Sequence, residues 1–267
     1  MVKSGNRGYH DRVAGRYDAM YQGDYWRFYR EISWRHLKAQ LPERRPLQAL
    51  DIGCGTGHFG CRLLKAGCDV VFLDPSVKML EQARDAAEAA RRSSLSSQFV
   101  LAGMEAMTEV ADASIDFATG QGDPLSFCED PEKALAELAR VLRPDGIAVL
   151  SVDHRVAGVR SLQSEAKPDA MLELLRSGRT RWRGHREDER FPMKMFDVDE
   201  LHALLQRAGF VVTSTIAKTC LVQRSTEAWL AQPETFRALV AAEERVHDRR
   251  QWFALGGHLQ VAARRGS

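Results

Sequence analysis

A short apolar strand followed by a glycine-rich loop is the sequence feature that most constrains how this chain folds. Residues 47–52 (LQALDI) are typical of a buried strand, and Gly53, Gly55 and Gly57 follow it at alternate positions. Glycine lets the backbone turn tightly and approach a ligand closely, and the start of a helix presents unpaired N–H groups. The pattern therefore predicts a strand–loop–helix unit that binds a ligand through its backbone.

Apolar runs and amphipathic stretches alternate along most of the chain that follows. The predicted strands cover 47–52, 69–73, 98–101, 115–119, 147–152, 210–216 and 259–263. The segments between these strands have helical patterns, so consecutive strands are not expected to pair as hairpins. This alternation is typical of an α/β fold in which a parallel sheet is covered by helices on both faces.

We expect four parts along the chain: a helical cap (1–46), a ligand-binding core (47–154), an insert that serves as a substrate lid (155–196), and the rest of the core (197–267) with a helical insert at 218–256. All five tyrosines lie within the first 29 residues, and the last four recur at intervals of four. That spacing predicts one aromatic helical face. Such a face either packs on its own domain or covers a ligand pocket.

Composition excludes several function classes. The 267 residues carry a formal net charge of +2, which disfavours nucleic acid as a partner, and no apolar run is long enough to cross a membrane. The five cysteines are scattered without a CxxC pair, and the histidines show no ligand-like spacing. We therefore expect a cytoplasmic protein with reduced thiols and no metal site.

Two ligands suit the glycine loop. The string from Gly55 to Gly60 matches the GxGxxG pattern of dinucleotide-binding proteins, and Asp74 lies near the position expected for a ribose-binding acid. However, the carboxylate of Asp51 at the strand tip would repel a pyrophosphate. S-adenosylmethionine instead brings an ammonium and a sulfonium to this place. Charge therefore favours the methyl donor.

Three segments in register resemble the class I S-adenosylmethionine-dependent methyltransferases, in particular the branch typified by ubiquinone and menaquinone methyltransferases. They are Asp51–Gly57 (DIGCGTG), Leu73–Leu80 (LDPSVKML) and Arg140–Gly146 (RVLRPDG). The resemblance implies a Rossmann-like seven-stranded, mostly parallel sheet with an antiparallel last strand, a helical N-terminal cap and two helical inserts. It also implies S-adenosyl-L-methionine as cofactor and a small-molecule methyl acceptor.

The resemblance assigns cofactor roles position by position. Gly53, Gly55 and Gly57 would line the methionine and ribose portions, with Asp51 near the ammonium group and Asp74 on the ribose. Adenine would be contacted by Pro75, Met79, Gly103, Met104 and Glu105, although Met104 occupies a place where the family commonly has an aspartate. Gln121 would line the methyl-transfer channel, and Tyr17 would close over the cofactor.

Candidate catalytic residues follow from topology, because ligands of open α/β sheets bind at the carboxyl ends of the strands. Asp123 follows the fourth predicted strand, and Asp153 and His154 follow the fifth. Methyl transfer from a sulfonium requires no base in itself, but a hydroxyl or thiol acceptor benefits from one. His154 is the expected base because histidine titrates near neutrality, with Asp123 as a second candidate.

Other functions remain open on the sequence alone. The arginines between Arg176 and Arg186, around Trp182, would serve an RNA or protein methyltransferase by binding the polymer. A non-catalytic cofactor-binding module and a dinucleotide oxidoreductase are further alternatives. The sequence also leaves open whether the chain forms a homodimer.

Overall fold

The computed structural model describes residues 5–44, 46–90, 95–182 and 189–266. Its strands are β1 (Leu47–Ile52), β2 (Cys68–Asp74), β3 (Ser97–Leu101), β4 (Ile115–Gly120), β5 (Leu142–Asp153), β6 (Arg179–Arg181), β7 (Pro192–Lys194), β8 (Phe210–Lys218) and β9 (His258–Arg265). Seven of them form one sheet in the order β3-β2-β1-β4-β5-β9-β8, in which β9 is antiparallel to both neighbours. The predicted sheet, including its antiparallel last strand, is confirmed.

Helices cover both faces of this sheet. They are α1 (Asn6–Val13), α2 (Tyr17–Met20), α3 (Asp24–Ala39), α4 (His58–Lys65), α5 (Val77–Ala90), α6 (Pro131–Val141), α7 (Arg155–Ser164), α8 (Pro168–Ser177), α9 (Val198–Arg207) and α10 (Pro233–Glu243). One core layer packs α4 and α5 on the sheet, and the other packs α6 and α9 on the opposite face. Each apolar helix stripe is thereby buried against strands that are themselves almost wholly apolar.

Local sequence accounts for where the core helices begin. The carboxylate of Asp130 accepts a hydrogen bond from the Lys133 amide (3.0 Å), with Pro131 in the first turn of α6. Asp197 caps α9 in the same way through the Glu200 amide (2.8 Å). These caps fix where α6 and α9 begin, and each of these helices precedes a strand of the central sheet, β5 and β8.

The order of the strands locates the ligand crevice. β1 pairs with β2 on one side and with β4 on the other, so the chain reverses its direction of winding between these strands. In open α/β sheets a crevice forms at such a switch point, outside the carboxyl ends of the strands. The loops after β1, β4 and β5 therefore lie where a ligand is expected.

The tyrosine-rich N-terminal segment differs from its prediction. The tyrosines do not share one helical face, because α2 ends at Met20 and α3 begins only at Asp24, after a turn in which Gly23 has extended backbone (φ −57°, ψ 158°). A side chain at Gly23 would meet the Glu227 carboxylate at 2.3 Å. At this break the Tyr25 amide donates to Glu227 of the distant second insert (3.1 Å), a contact that a local spacing rule does not include.

The two predicted inserts contain the expected helices and one feature that was missed. Within 155–196, α7 and α8 are followed by the antiparallel pair β6–β7. Within 218–256, α10 lies between two 3-10 segments, Arg224–Ala231 and Arg250–Leu255. In the described part of the chain, no helix combines the length and apolar character needed to span a bilayer.

Candidate active site

The glycine loop after β1 has a backbone that side chains would strain. Gly53, Gly55 and Gly57 have φ of +62°, +53° and +87°. A Cβ on Gly57 would lie 3.1 Å from the Cα of Ala83, whereas the nearest described atom to a Cβ on Gly55 would belong to the Tyr17 ring, at 3.8 Å. The loop is therefore a bare backbone cradle with an aromatic side chain above it.

Two buried carboxylates fix this cradle from below. Asp51 accepts a hydrogen bond from the Gly60 amide (2.7 Å), and Asp74 accepts from the amides of Gly55 (2.9 Å) and Ser76 (2.8 Å). Burial raises the pKa of Asp51 to about 7, against the effect of the Gly60 N–H. Burial likewise raises the pKa of Asp74. A positively charged or hydroxyl-rich ligand would stabilise the ionised form of both.

The N-terminal cap is joined to the loop by side-chain hydrogen bonds. Thr56 donates to Asp18 (2.7 Å), and Ser76, at the end of β2, donates to Asp11 (2.6 Å). Met79 packs against Tyr9 and neighbouring residues of α1. The N-terminal cap therefore packs over the glycine-loop end of the crevice.

A cavity of about 570 Å³ runs from the glycine loop to the ends of β4 and β5. Much of its wall is aromatic, formed by Tyr17, Tyr21, Trp26, Tyr29, Phe127, Trp182 and Phe191. Its polar end is formed by Gln121, Asp123, Asp153 and His258. An apolar cavity with a few converging polar groups is the usual form of a small-molecule site.

The polar end is a buried charge network. His258 Nδ1 lies 2.7 Å from an Asp123 oxygen and 3.8 Å from one of Asp153. Burial alone would lower the pKa of His258, but the Asp123 carboxylate outweighs it and raises that pKa. Burial and the nearby Asp123 charge raise the pKa of Asp153 to about 7. The pKa of Asp123 is instead lowered, because the contact with His258 outweighs its burial. Asp153 and His258 are therefore the members of this network that titrate nearest neutral pH.

Lys218, at the end of β8, supplies a second positive charge. Its fully buried ammonium donates to the hydroxyls of Tyr29 (2.7 Å) and Ser33 (3.2 Å). Burial lowers the pKa of Lys218 to about 7, and the Asp123 and Asp153 charges oppose that shift. One lysine and one histidine thus face two carboxylates across β4, β5, β8 and β9.

A second cavity, of about 1200 Å³, meets the same polar end from the other side. It lies between the cap and the two inserts, and shares Asp153 and His258 with the first cavity. Its wall includes four arginines: Arg16, Arg160, Arg181 and Arg224. The two cavities therefore approach one polar cluster, one from the glycine loop and one from the inserts.

The structure brings some of the predicted site residues to the first cavity. Its wall includes Tyr17, Gly53, Gly55, Gly57, Gln121 and Asp123. Asp51 and Asp74 lie directly beneath it through their bonds to Gly60 and Gly55. The assigned cofactor roles of these residues stay predictions.

Other predicted site residues lie elsewhere. Pro75, Met79, Gly103, Met104 and Glu105 are not part of the cavity wall. Met104 is buried in the core, and Glu105 accepts from the Asp130 amide (2.6 Å) at the start of α6. His154, the expected base, is buried, pairs through Nδ1 with the Gly256 carbonyl (3.1 Å), and lines neither cavity. Burial also lowers its pKa.

The arginine cluster predicted between 176 and 186 is divided in the structure. Arg176 forms an exposed ion pair with Glu173 (2.8 Å), whereas Arg181 and Trp182 line the second cavity. Arg183 and Arg186 lie outside the described residues. The cluster therefore does not act as one surface in the described part of the chain.

Comparison with known proteins shows which of them part of this chain resembles. Residues 50–150 match a family model described as "Methyltransferase domain". A malonyl-[acyl-carrier protein] O-methyltransferase of Pectobacterium atrosepticum is 34% identical over 136 residues, which is 51% of this chain and 48% of that protein. Residues 50–150 of the chain are therefore similar to methyltransferase domains. The chain spans less than half the length of this relative.

Further comparisons bear on the rest of the chain. A tRNA 5-carboxymethoxyuridine methyltransferase of Escherichia coli K12 is 23% identical over 236 residues, covering 88% of this chain and 87% of that protein. The solved structure of an S-adenosylmethionine-dependent methyltransferase from Mesorhizobium loti has a TM-score of 0.57 at 22% identity, covering 88% of this chain and 98% of that one. A SAM-dependent methyltransferase from Methanosarcina mazei gives a TM-score of 0.60 at 20% identity, covering 86% and 97%. The shared fold extends well beyond the matched domain.

S-adenosylmethionine is the cofactor of this family, and the residues present fit it. The left-handed glycines leave the loop backbone open to a ligand, and a buried acid lies beneath each end of the loop. Each carboxylate oxygen that already accepts an amide retains a second lone pair for a hydroxyl or ammonium donor. A pyrophosphate would instead meet two buried negative charges.

Sequence reasoning missed His258 and Lys218. Both lie at the ends of strands far along the chain from the glycine loop, and neither belongs to a motif. The available signal was positional, because β8 and β9 end beside each other: Lys218 and His258 are register partners in the antiparallel pair. The register between strands that are far apart in sequence cannot be predicted from local residue spacing.

Proposed function

We propose that this chain transfers the methyl group of S-adenosylmethionine to a small-molecule acceptor. The observation that carries the proposal is the convergence of two cavities on one buried polar cluster. The first begins at the glycine loop and suits the donor, and the second opens between the inserts and suits the acceptor. An enclosed, aromatic site favours a small molecule or a small group over an extended polymer.

Methyl transfer from a sulfonium requires of the protein mainly that it position the two reactants. Bound S-adenosylmethionine supplies a methyl carbon already activated by its sulfonium. The chain's own residues hold the two reactants in line and exclude water, which accounts for a large part of the rate in such displacements. We assign the exclusion of water to the closed cap, through Tyr17 and Tyr21, and positioning near the transfer point to Gln121.

Calorimetry with S-adenosylmethionine and with NADH tests the cofactor half of this proposal. We expect saturable heat with the sulfonium compound and none with the nicotinamide nucleotide. Asp74→Ala removes the acceptor for the Gly55 amide and for the ribose hydroxyls, so it should weaken binding about tenfold or more, as expected for losing hydrogen bonds to a charged group. The exposed Asp85→Ala on the same side of the sheet is the matched control. Saturation by NADH instead would contradict the proposal.

Methyl transfer itself is tested with an acceptor panel. Phenols, amines, thiols and carboxylic acids are each incubated with S-adenosylmethionine, and S-adenosylhomocysteine is measured. We expect turnover with at least one small molecule, and a further rise in Tm when donor and acceptor are both present, because ligands that bind the native state stabilise it by mass action. Tight donor binding without transfer to any member would favour a non-catalytic module.

An acceptor carried on a polymer is the second candidate. The four arginines of the second cavity suit an anionic carrier, and two relatives are named for acceptors held on an acyl-carrier protein and on tRNA. Retention on RNA whose affinity falls steeply with salt would support this reading. Transfer to free small molecules with no RNA retention would support the first proposal.

A further inference from the structure

His258 has the geometry of a base that faces the point where the two cavities meet. Its Nδ1 lies 2.7 Å from the Asp123 carboxylate, so the neutral ring carries its proton on Nδ1 and leaves the Nε2 lone pair for another partner. Among the described residues, no hydrogen bond engages Nε2, while the side chain lines both cavities. The Tyr29 ring lies edge-on at 4.9 Å between centroids and restricts the imidazole.

Asp123 is shaped to orient this ring. It has the left-handed backbone that non-glycine residues seldom adopt (φ 67°), its amide donates to the Ser151 hydroxyl (3.1 Å), and its side chain is buried. One of its oxygens is committed to His258, and the other has no partner among the described residues. A strained, buried carboxylate that orients a histidine is a recurring arrangement in catalytic sites.

Further unpaired oxygens mark where a ligand would bind. Asp153 Oδ2 and Gln121 Oε1 are buried without a hydrogen-bond partner in the described part of the chain. Buried polar atoms normally have partners, so two such atoms on side chains that line the same cavity as His258 indicate a missing donor. An acceptor hydroxyl or amine, with a proton to donate, meets that requirement.

A divalent cation is the competing occupant. Ligand atoms of Asp123, Asp153 and His258 lie within 4.8 Å of one another. However, His258 Nδ1 is already engaged by Asp123, and the buried ammonium of Lys218 provides the positive charge that these acids need. The network is therefore closer to a proton-sharing cluster than to a metal centre.

We propose that His258, oriented by Asp123, is the general base that deprotonates the methyl acceptor, so that the acceptor is a small molecule with a hydroxyl or amine group. The inference rests on the proposed methyltransferase function. His258 Nε2 takes the proton of the acceptor O–H as the oxygen lone pair bonds to the donor methyl carbon. The carbon–sulfur bond breaks with its electron pair on sulfur, and the imidazolium later releases its proton to water.

The pH response depends on every charged group around the ring. The groups that act on it from the packed elements are Asp123, Asp153, His154, Lys218 and Tyr29. Asp123 and then Asp153 raise the pKa of His258, while Lys218 opposes them. Activity should therefore rise with pH through a value above the ordinary histidine pKa, as the ring loses its second proton.

A series of para-substituted phenols tests this assignment. With wild-type chain and S-adenosylmethionine, we expect methyl ethers from 4-methoxyphenol through 4-nitrophenol. In His258→Gln the rate with 4-methoxyphenol should fall about a hundredfold, the usual scale of general-base catalysis, and the fall with 4-nitrophenol should be much smaller, because that phenol is already largely ionised near neutral pH. His202→Gln, which changes a histidine outside both cavities, is the matched control.

Asp123→Asn separates positioning from base catalysis. It should keep His258 in place but lower its pKa, which is read directly by titrating ¹⁵N-histidine spectra of the whole chain. The pKa obtained from the pH dependence of kcat should also fall. If the spectra show no change in the His258 pKa, the orienting role of Asp123 is wrong.

The remaining outcomes distinguish this inference from the function on which it rests. Three outcomes would overturn the base assignment while leaving a methyltransferase. They are an equal loss of rate for all phenols in His258→Gln, recovery of the His258→Gln activity on addition of Mg²⁺ or Mn²⁺, and transfer only to carboxylic acids. Donor binding with no transfer to any phenol or amine would overturn it as well. Failure to bind S-adenosylmethionine would refute the proposed function itself.

Discussion

Gly60 links the sheet to the cofactor loop, and replacing it by alanine tests that link. A Cβ at this position would lie 2.1 Å from Cε1 of Phe72 and 2.8 Å from two neighbouring ring atoms. Phe72 is fully buried and stacks on Phe99 at 5.0 Å, so the ring has little room to yield. To restore a contact of 3.4 Å, α4 must move outward by roughly 1.3 Å.

This shift has two costs and one compensation. Overpacking a core typically costs about 1–3 kcal/mol. The Gly60 amide donates to Asp51 at 2.7 Å, and losing a hydrogen bond to a charged group costs about 1.5–3 kcal/mol. Alanine regains about 1 kcal/mol of helix propensity. A central expectation of about 3 kcal/mol corresponds to a fall in Tm of roughly 6–12 °C for a chain of this size.

The assay is thermal unfolding followed by circular dichroism, with calorimetric binding of S-adenosylmethionine as a second readout. Because Asp51 would lose the hydrogen bond from the Gly60 amide, the affinity for S-adenosylmethionine should fall together with Tm. Gly15→Ala is the control: its Cβ would meet no atom of the described residues within 4 Å, so Tm should change little. A Gly60→Ala protein that melts within 1 °C of wild type and binds the donor normally would refute the packing argument.

Three further predictions concern other parts of the fold. Glu243→Ala leaves the amides of Cys220 and Leu221 without their buried acceptor and should cost about 2–4 kcal/mol by urea unfolding, against less than about 1 kcal/mol for the exposed Glu244→Ala. Asp116 is buried, yet hydrogen bonds from Gln48 and two arginines hold its pKa below the usual range. Its contribution to the free energy of unfolding is therefore present above the pKa of the unfolded chain and is lost as pH falls through the lower pKa of the folded state. The stability difference between wild type and Asp116→Asn should shrink on acidification below about pH 4. Thr56→Val removes the bond to Asp18 and should weaken binding of S-adenosylmethionine about tenfold and lower Tm by a few degrees; an unchanged Kd would show that the cap does not act through this bond.

The sequence predicts the sheet well because its evidence is local. Each core strand is a short apolar run, and glycine or a capping aspartate such as Asp130 marks each adjoining helix. The glycine loop is equally local, since the left-handed φ of Gly53, Gly55 and Gly57 and the acid at Asp74 all belong to one strand–loop–helix–strand stretch. Features that arise within about thirty residues can be inferred from spacing.

The missed features arise from contacts between distant segments. The tyrosine series was predicted as one helical face, but Gly23 breaks it where Glu227 packs, more than two hundred residues away. Met104 and Glu105 occupy family positions for adenine contacts, and that role stays a prediction. Met104 is buried in the core, and Glu105 accepts from the Asp130 amide at the start of α6. Sequence position assigns such residues to a site, whereas packing decides which way they face.

The acceptor end of the site follows the same logic. Its polar cluster is assembled from the ends of four strands, so Asp123, Asp153, Lys218 and His258 meet only once the sheet has formed. The donor loop belongs to the part of the chain that matches the methyltransferase domain model, but Lys218 and His258 come from strands beyond residue 150. If the acceptor is selected by this cluster, relatives that share the matched domain alone need not share a substrate. Exchanging residues 155–267 with those of a relative should therefore change the acceptor while donor affinity, set by β1, β2 and their loops, is retained.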